Sequence, residues 1–325
     1  MSNSNNSEKN SKDGQFTSEN IGQQHQSGVE TGLEKDMGPT SESTKLETPG
    51  GMKEYIGVGK LRGKSAIITG GDSGIGRAVA ILYAREGCGS SIVYLPEEQA
   101  DAEEAKKLVE AEGQKCQLIP YDLRDFRGTK VIVDKHLKEF GSLNILVNNA
   151  SKQIACKKIE ELDLDNVEQI FQSNIIQMIA LTKFAIPHLN KGDSIINTTS
   201  VTAYRGSAQF LDYSSTKGAI VSFTRALASQ IGGERGIRVN AVAPGPVHTP
   251  LQPASRPGEQ MESFGESTMI GRPAQPSEIA PSYVFLASSE AAAFIGQVSK
   301  SMPREDVEIS LIAAVHPNAG EILNV

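Results

Sequence analysis

The chain has 325 residues, of which 38% are hydrophobic and 22% are charged, a balance typical of a globular protein. Its formal net charge of -7 excludes the strongly basic composition of proteins that bind nucleic acid or anionic membranes. Three widely separated cysteines and five histidines without metal-ligand spacing argue against a disulfide framework and a zinc site, so we expect a reducing compartment.

The first fifty residues differ in composition from the rest of the chain. They are rich in Asn, Ser, Gln, Glu, Gly and Thr, and their only aromatic residue is Phe16. Such a segment buries too little apolar surface to offset the entropy lost on ordering. We therefore predict that residues 1–50 form a disordered polar extension that aids solubility, or alternatively binds a partner. The sequence suggests neither a secretory signal nor a membrane span, so we expect a cytoplasmic protein.

Short apolar runs alternate with helical stretches from about residue 65 onward. Strands are predicted at residues 65–69, 91–95, 117–119, 143–147, 194–197 and 237–242. Helices are predicted at residues 77–86, 97–112, 129–140, 163–189 and 213–231. This alternation predicts an α/β fold of the Rossmann type, in which a doubly wound parallel sheet lies between two layers of helices. A single domain over residues 51–325 accounts for all of these elements, and ligands are expected at the carboxyl ends of its strands.

A glycine-rich turn, which we call the glycine loop, joins the first predicted strand to the first predicted helix. It reads Thr-Gly-Gly-Asp-Ser-Gly-Ile-Gly over residues 69–76. Its glycines let the backbone approach a pyrophosphate closely, and the free amides and dipole of the helix N-terminus favour an anion. Glycine spacing alone is a weak signal, because a tight strand-to-helix turn also explains it.

Further motifs follow the glycine loop in chain order, each after a predicted strand or within a predicted helix. They are Asp122 after the third strand, Asn148-Asn149-Ala150 after the fourth, Asn174 in the next helix, Ser200 at the end of the fifth strand, Tyr213-Ser-Ser-Thr-Lys217 in the helix after it, and Pro244-Gly245 with Thr249 after the last strand. Together they resemble the short-chain dehydrogenase/reductase superfamily over about residues 55–298. The resemblance is nearest to bacterial stress reductases and plant glucose and ribitol dehydrogenase homologues, although Ser151 replaces a family glycine.

The resemblance implies an oxidoreductase that transfers a hydride between a nicotinamide cofactor and an aldehyde, ketone or sugar-like alcohol. The implied catalytic residues are Asn174, Ser200, Tyr213 and Lys217. The implied cofactor contacts are Gly70, Asp72, Ser73, Gly74, Ile75, Gly76, Arg77, Tyr94, Asp122, Leu123, Asn149, Ala150, Lys217, Pro244, Gly245, Val247 and Thr249. It also implies a homotetramer with a small-molecule substrate and without a metal, nucleic-acid or membrane partner.

The spacing of the tyrosine and the lysine fits this chemistry. Hydride addition to a carbonyl leaves negative charge on oxygen, and a phenol that donates a proton there has an ordinary pKa of about 10. Tyr213 and Lys217 are four residues apart and share one helix face, so we expect the ammonium to lower the pKa of the phenol. By the resemblance, Lys217 also binds the nicotinamide ribose, Ser200 hydrogen-bonds the substrate oxygen, and Asn174 holds a water that passes protons to Lys217. Alternatively, Ser200 caps a strand end and Asn174 binds backbone.

The end of the second strand bears on the choice of dinucleotide. An acidic side chain there binds the ribose hydroxyls of NAD and repels the 2′-phosphate of NADP. This strand ends in Tyr-Leu-Pro at residues 94–96, and Glu97 is the next acid. Arg77 could reach a phosphate, whereas Ser73 stands where many NADP enzymes of the superfamily carry Lys or Arg. We predict NADP, with NAD as the alternative.

Two features lie near the expected substrate. Residues 251–272, which include Pro253, Pro257 and Gly258, are predicted to form a loop that covers it. For His248 we expect an exposed loop position rather than a substrate contact.

We assign no redox role to Cys156, because it lacks a basic partner in sequence.

The C-terminal segment departs from the family pattern. An insertion at residues 299–315 separates Gly-Gln-Val from His-Pro-Asn, and we hypothesise a retained intron, which sequencing of the transcript would test. Either Val298 or residues 309–315 would supply the last strand, because a sheet accepts a single register. The alternatives to an active reductase are a non-catalytic dinucleotide-binding sensor or scaffold, and a catalytically impaired product of the retained intron.

Overall fold

The structure, a computed structural model, describes residues 16–17, 21, 24–28 and 30–301. Its strands are β1 Lys45–Thr48, β2 Gly51–Glu54, β3 Ser65–Thr69, β4 Gly89–Tyr94, β5 Cys116–Pro120, β6 Ile145–Asn148, β7 Ser194–Thr198, β8 Arg238–Ala243 and β9 Val298–Lys300. Its α-helices are α1 Gly74–Arg85, α2 Gln99–Ala111, α3 Lys130–Phe140, α4 Leu164–Phe171, α5 Gln177–Ala185, α6 Thr202–Arg205, α7 Leu211–Arg235, α8 Leu251–Ser255, α9 Glu259–Glu262 and α10 Pro276–Ala287.

A parallel sheet with the strand order β5-β4-β3-β6-β7-β8-β9 forms the centre of the molecule. The chain order reverses direction across the sheet between β3 and β6, which is where open α/β sheets bind ligands. The predicted Rossmann-type fold is confirmed. A separate antiparallel hairpin, β1 with β2, precedes the sheet.

Two hydrophobic clusters lie on opposite faces of the sheet. Ile67 and Ile68, neighbours on β3, belong to different clusters because successive side chains of a strand point to opposite faces. One cluster includes Tyr83 of α1 and Tyr283 of α10, and the other includes Leu181 of α5. Buried apolar contacts on both faces therefore hold the sheet between helices, as the near-continuous apolar strands predict.

Several elements differ from the sequence prediction. The helix predicted over residues 163–189 is divided into α4, a π-helical segment at Gln172–Ile176, and α5, and a 3-10 turn at Ile186–His188 follows. Helix α10 was missed; Pro276 stands at its start and Pro281 inside it, which weakens its helical signal. The predicted substrate loop contains two short helices, α8 and α9.

Part of the polar N-terminal extension packs against the domain, in contrast to the disorder that we predicted. Glu34 is only 2% exposed, and Met37 is also buried. The backbone of Glu34 donates to the Asp101 carboxylate at 2.7 Å. Composition alone missed this docking, because hydrogen bonds to distant residues and a few buried apolar side chains, such as Ile21 against Met261 and Phe264, hold the segment. Residues 1–15 lie outside the described residues.

The structure shows which residues form β9, the last strand of the sheet within the described chain. Val298, the first of our two alternatives, pairs in parallel with Ala241 of β8. The second alternative, residues 309–315, lies outside the described residues, as does the insertion from residue 302 onward. Within the described part of the chain, no helix has the length and apolar character needed to cross a bilayer.

Candidate active site

The glycine loop lies tightly packed at the carboxyl edge of the sheet. A Cβ on Gly70 would lie 3.1 Å from the Cα of Ala150, and one on Gly74 would lie 2.9 Å from Cγ2 of Thr249. A Cβ on Gly76 would lie 1.9 Å from the carbonyl oxygen of Gly70. Gly70 and Gly74 also have positive φ angles of 62° and 49°. The loop is thus packed directly against residues of two other predicted motifs.

A cleft runs past the glycine loop, and many predicted cofactor residues form its walls. These are Gly70, Asp72, Ser73, Gly74, Ile75, Tyr94, Asp122, Leu123, Asn149, Ala150 and Thr249. Other wall residues were missed by the sequence analysis, among them Glu30, Thr31, Glu98, Arg124 and Lys152. Five predicted contacts other than Lys217 are not part of these walls: Gly76, Arg77, Pro244, Gly245 and Val247.

Asp72 provides a test of whether a dinucleotide fits this cleft. Its side chain is buried, and its Oδ2 has no hydrogen-bond partner among the described residues. Burial, together with the neighbouring Glu98 carboxylate, raises the pKa of Asp72 well above its usual value. An unpaired acceptor near a helix N-terminus fits a ligand with both hydroxyl donors and negative charge. A dinucleotide has both.

Arg77 faces away from the cleft, contrary to the phosphate contact that we predicted. Its Nε donates to the Asp72 carbonyl at 2.7 Å, and its Nη2 donates to the Asp101 carbonyl at 3.1 Å. The guanidinium also pairs with the Asp101 carboxylate at 3.7 Å and the residue is 8% exposed. Arg77 therefore braces the glycine loop from behind.

The segment after β8 lies beside the end of β7. The Pro244 carbonyl accepts from Val201 at 3.1 Å, and the Gly245 N–H donates to Oγ of Ser301 at 3.3 Å. Val247 is buried and forms a β-bridge with residue 274. His248 is fully buried and burial lowers its pKa to about 4, so the exposed position that we predicted for it is wrong.

Helix α7 brings the predicted tyrosine and lysine together on one face. Tyr213 is 9% exposed and Lys217 is 1% exposed. The Lys217 Nζ lies 5.2 Å from the centroid of the Tyr213 ring and donates to the Thr198 carbonyl at 3.0 Å. Ser200, just beyond β7, hydrogen-bonds Tyr213. Three of the four predicted catalytic side chains thus meet next to the end of one strand.

The electrostatics of this pair differ from our expectation. Burial raises the pKa of Tyr213 to about 12, although the hydrogen bond with Ser200 and the charge of Arg256 each lower it. Burial also lowers the pKa of Lys217 to about 7. The expected lowering of the phenol pKa by Lys217 is not seen: the groups that lower it are Ser200 and Arg256, and desolvation outweighs both.

Asn174 lies in the π-helical segment between α4 and α5, and it is fully buried. Its Oδ1 accepts from the Lys152 N–H at 2.8 Å, and its Nδ2 donates to the Lys152 carbonyl at 2.9 Å and to Oγ1 of Thr216 at 3.1 Å. Such π-bulges are frequent at functional sites. This one ties the loop after β6 to α7, next to Lys217; the water-holding role of Asn174 stays a prediction.

Arg256 is a charged neighbour of Tyr213 that the sequence analysis missed. Its guanidinium carbon lies 4.7 Å from the Phe210 ring centroid and 5.4 Å from that of Phe264. Its Nε donates to Oε1 of Gln252 at 3.0 Å, and burial lowers its pKa. The sequence places it in a segment without a regular pattern, so no local signal could locate it beside Tyr213.

Comparisons with known proteins agree with this geometry. A family model described as enoyl-(acyl carrier protein) reductase matches residues 70–300. The chain is 49% identical over 274 residues to the uncharacterized oxidoreductase YhdF of Bacillus subtilis, covering 84% of this chain and 91% of that protein. It is 44% identical over 277 residues to NADPH-dependent aldehyde reductase 1, chloroplastic, of Arabidopsis thaliana, covering 83% of this chain and 90% of the relative.

Solved structures agree as well. A short-chain dehydrogenase from Burkholderia cenocepacia in complex with NADP has a TM-score of 0.69 and 29% sequence identity, covering 74% of this chain and 97% of that chain. The family-model match over residues 70–300 includes the glycine loop from Gly70 onward and the helix that carries Tyr213 and Lys217. The chain therefore belongs to the short-chain dehydrogenase/reductase family of oxidoreductases.

Proposed function

We propose that this protein is an NADP(H)-dependent carbonyl reductase, acting on an aldehyde, ketone or sugar-like substrate, with Tyr213 as its proton donor. The observation that carries the proposal is the meeting of Ser200, Tyr213 and Lys217 near the edge of the sheet where the glycine loop forms a cleft. The homotetramer and the cytoplasmic location remain predictions from the family resemblance and the sequence.

The reduced dinucleotide, when bound, supplies the hydride. The glycine loop and the first turn of α1 would hold its pyrophosphate through amides other than the Gly74 N–H, which donates to Oε2 of Glu34 at 2.9 Å. Asp122 and Leu123 would contact the adenosine end, whereas Asn149 and Thr249 would contact the part nearer the nicotinamide. Each of these four residues lines the cleft.

The protonation states of Tyr213 and Lys217, together with the hydroxyl of Ser200, suit carbonyl reduction. Because its pKa is raised to about 12, Tyr213 keeps its proton at neutral pH and can donate it to the substrate oxygen. Ser200 would donate a hydrogen bond to the same oxygen and stabilise its developing charge. Lys217, whose pKa burial lowers to about 7, can exchange a proton near neutral pH and replace the proton that Tyr213 loses.

The main test is turnover by the purified protein with NADPH and a panel of aldehydes and ketones, followed by the loss of NADPH absorbance. Steady oxidation of NADPH in the presence of a carbonyl compound is the expected result. Tight NADPH binding without turnover of any carbonyl compound would contradict the proposal and favour the sensor or scaffold.

NADPH is expected to bind about tenfold more tightly than NADH, in a titration followed by nucleotide fluorescence. A carboxylate near the end of β4 would repel the 2′-phosphate, and Glu98 lines the cleft there. Burial raises the pKa of Glu98 and so weakens the repulsion, although the Leu95 N–H at 2.9 Å and the Thr31 hydroxyl donate to its oxygens and favour its charged form. Glu98→Gln should favour NADPH further. Tighter binding of NADH by the unmodified protein would reverse the assignment.

Replacing Arg256 with glutamine should slow alcohol oxidation at a fixed pH, because that direction requires the phenolate. The charge of Arg256 lowers the pKa of Tyr213, so its loss raises that pKa and moves the pH–rate profile to higher pH. We expect about a three- to tenfold lower rate on the rising limb, since one pKa unit corresponds to a tenfold change. Arg127→Gln, at an exposed arginine on the loop after β5, is the control. An unshifted profile in Arg256→Gln would remove this role.

A further inference from the structure

Residues 30–42, which we call the strap, lie against the loops that form the dinucleotide cleft. Glu34 anchors the strap at two places. Its Oε2 accepts from the Gly74 N–H at 2.9 Å in the first turn of α1, and its own N–H donates to the Asp101 carboxylate at 2.7 Å near the start of α2. Its Oε1 accepts from the Ser41 N–H at 2.9 Å, which fixes the strap to itself.

Glu30 joins two sides of the cleft. Its Oε2 lies 3.3 Å from the guanidinium of Arg124, after β5, and 2.9 Å from Nζ of Lys152, after β6. In the sheet, β5 and β6 lie on opposite sides of β3, so this one carboxylate bridges the point where ligands bind. Lys152 is 4% exposed, which makes its ion pair less screened than an ordinary surface pair.

The strap also touches the substrate-covering segment. Gly32 has a φ of +79°, and a Cβ at this position would lie 2.3 Å from the carbonyl oxygen of Pro250. Pro250 immediately precedes α8 and lines the cleft, as do Glu30 and Thr31 of the strap. The strap is therefore in contact with the glycine loop, with the loops after β5 and β6, and with the segment before α8.

We propose that the strap is the outer wall of the dinucleotide site, that Glu30 is its latch, and that bound nucleotide leaves only when the strap lifts. This inference rests on the proposed function, since it requires a dinucleotide in the cleft. The attachments of the strap to the cleft are mainly ion pairs and hydrogen bonds rather than a share of the two sheet-covering clusters. Lifting it consequently leaves the sheet intact, and the rate of cofactor exchange depends on the ion pairs of Glu30 together with the two anchoring contacts of Glu34.

A pair of glycine substitutions tests the wall. Gly32→Ala adds a methyl group that meets the Pro250 carbonyl, whereas Gly28→Ala shares a positive φ, +81°, but meets nothing within 4 Å. NADPH release would be measured by stopped-flow fluorescence, with excess NADP⁺ as the displacing nucleotide. Release is expected to be about tenfold faster in Gly32→Ala, and to change by no more than about twofold in Gly28→Ala, where only backbone strain is added.

A second pair of variants tests the latch. Glu30→Gln removes both ion pairs with little change of shape, and we expect release to accelerate about three- to tenfold. Its control is Glu104→Gln, because Glu104 pairs with a single lysine, Lys107, on the exposed face of α2. Sodium chloride should accelerate release from the unmodified protein and have a smaller effect on Glu30→Gln, whose latch is already broken.

The possible outcomes distinguish failure of the strap proposal from failure of the reductase proposal on which it rests. Equal release rates in the unmodified protein, Gly32→Ala and Glu30→Gln, with NADPH bound and melting temperatures unchanged, would overturn the strap and leave the reductase proposal in place. Failure of the unmodified protein to bind any nicotinamide dinucleotide would overturn both. Faster release in the two variants and not in their controls supports the strap.

Discussion

Replacing Tyr213 with phenylalanine is expected to lower kcat for carbonyl reduction by about 10²–10⁴-fold, the range contributed by a positioned general acid. The substitution removes the phenolic oxygen and retains the ring that lies 5.2 Å from the Lys217 Nζ. NADPH affinity should change by less than about twofold, because Tyr213 is not part of the described cleft wall. Single-turnover rates and nucleotide titrations would measure the two effects separately.

Tyr204→Phe is the matched control for this experiment. Tyr204 lies on the short helix α6 and is 39% exposed, with the Nζ of Lys300 3.9 Å from its ring centroid. Its substitution should leave kcat close to that of the unmodified protein. If carbonyl reduction persists at an undiminished rate in Tyr213→Phe, the proton reaches the substrate from another group and the proposed mechanism is wrong.

Replacing Lys217 with methionine is expected to stabilise the fold at neutral pH while strongly impairing catalysis. Burial lowers the pKa of Lys217 from 10.5 to about 7, so the unfolded chain binds more protons than the folded protein between these pH values. The unfavourable contribution of Lys217 is therefore fully present below about pH 7 and fades as the pH rises toward 10.5. Its removal should add about 2–4 kcal/mol to the free energy of unfolding at pH 7, and less at pH 10.

Denaturant unfolding at several pH values would measure this difference, with Lys135→Met as the control. Lys135 is an exposed lysine on α3, and its substitution should leave the pH dependence of unfolding unchanged. Catalysis in Lys217→Met should fall by about 10²-fold or more, because the group that returns the proton to Tyr213 is lost. A less stable Lys217→Met protein at pH 7 would show that the ammonium is better compensated than its hydrogen bond to the Thr198 carbonyl and its contact with the Tyr213 ring indicate.

The sequence predicts best those residues whose position follows from a local rule. Strand β3 and the glycine loop were located from an apolar run followed by glycines, and the loop indeed packs against Ala150 and Thr249. The four-residue spacing of Tyr213 and Lys217 sufficed to place them on one face of α7. The separate motifs converge because every parallel strand delivers its carboxyl end to the same edge of the sheet.

Residues brought in by distant segments were beyond such rules. Arg256 lies near Tyr213 although the two are 43 residues apart in sequence, and no periodic pattern links them. Glu30 belongs to the polar extension and contacts Arg124 and Lys152. The burial of His248 was misjudged for the same reason, and the burial of Lys217 was not predicted. His248 and Lys217 are desolvated by packing of the whole domain, which spacing and composition do not report.

The hydrogen bonds of the Asn174 side-chain amide affect which substitutions this protein can tolerate. It holds the backbone of Lys152 through both its oxygen and its nitrogen, and the same nitrogen donates to Thr216, whose hydroxyl donates to the Tyr213 carbonyl at 2.7 Å. The loop that contains Lys152, the ion-pair partner of Glu30, is thus hydrogen-bonded to the turn of α7 that carries the Tyr213 phenol. If the strap controls nucleotide release, we expect a substitution in that loop to change the nucleotide residence time and the rate of the chemical step together.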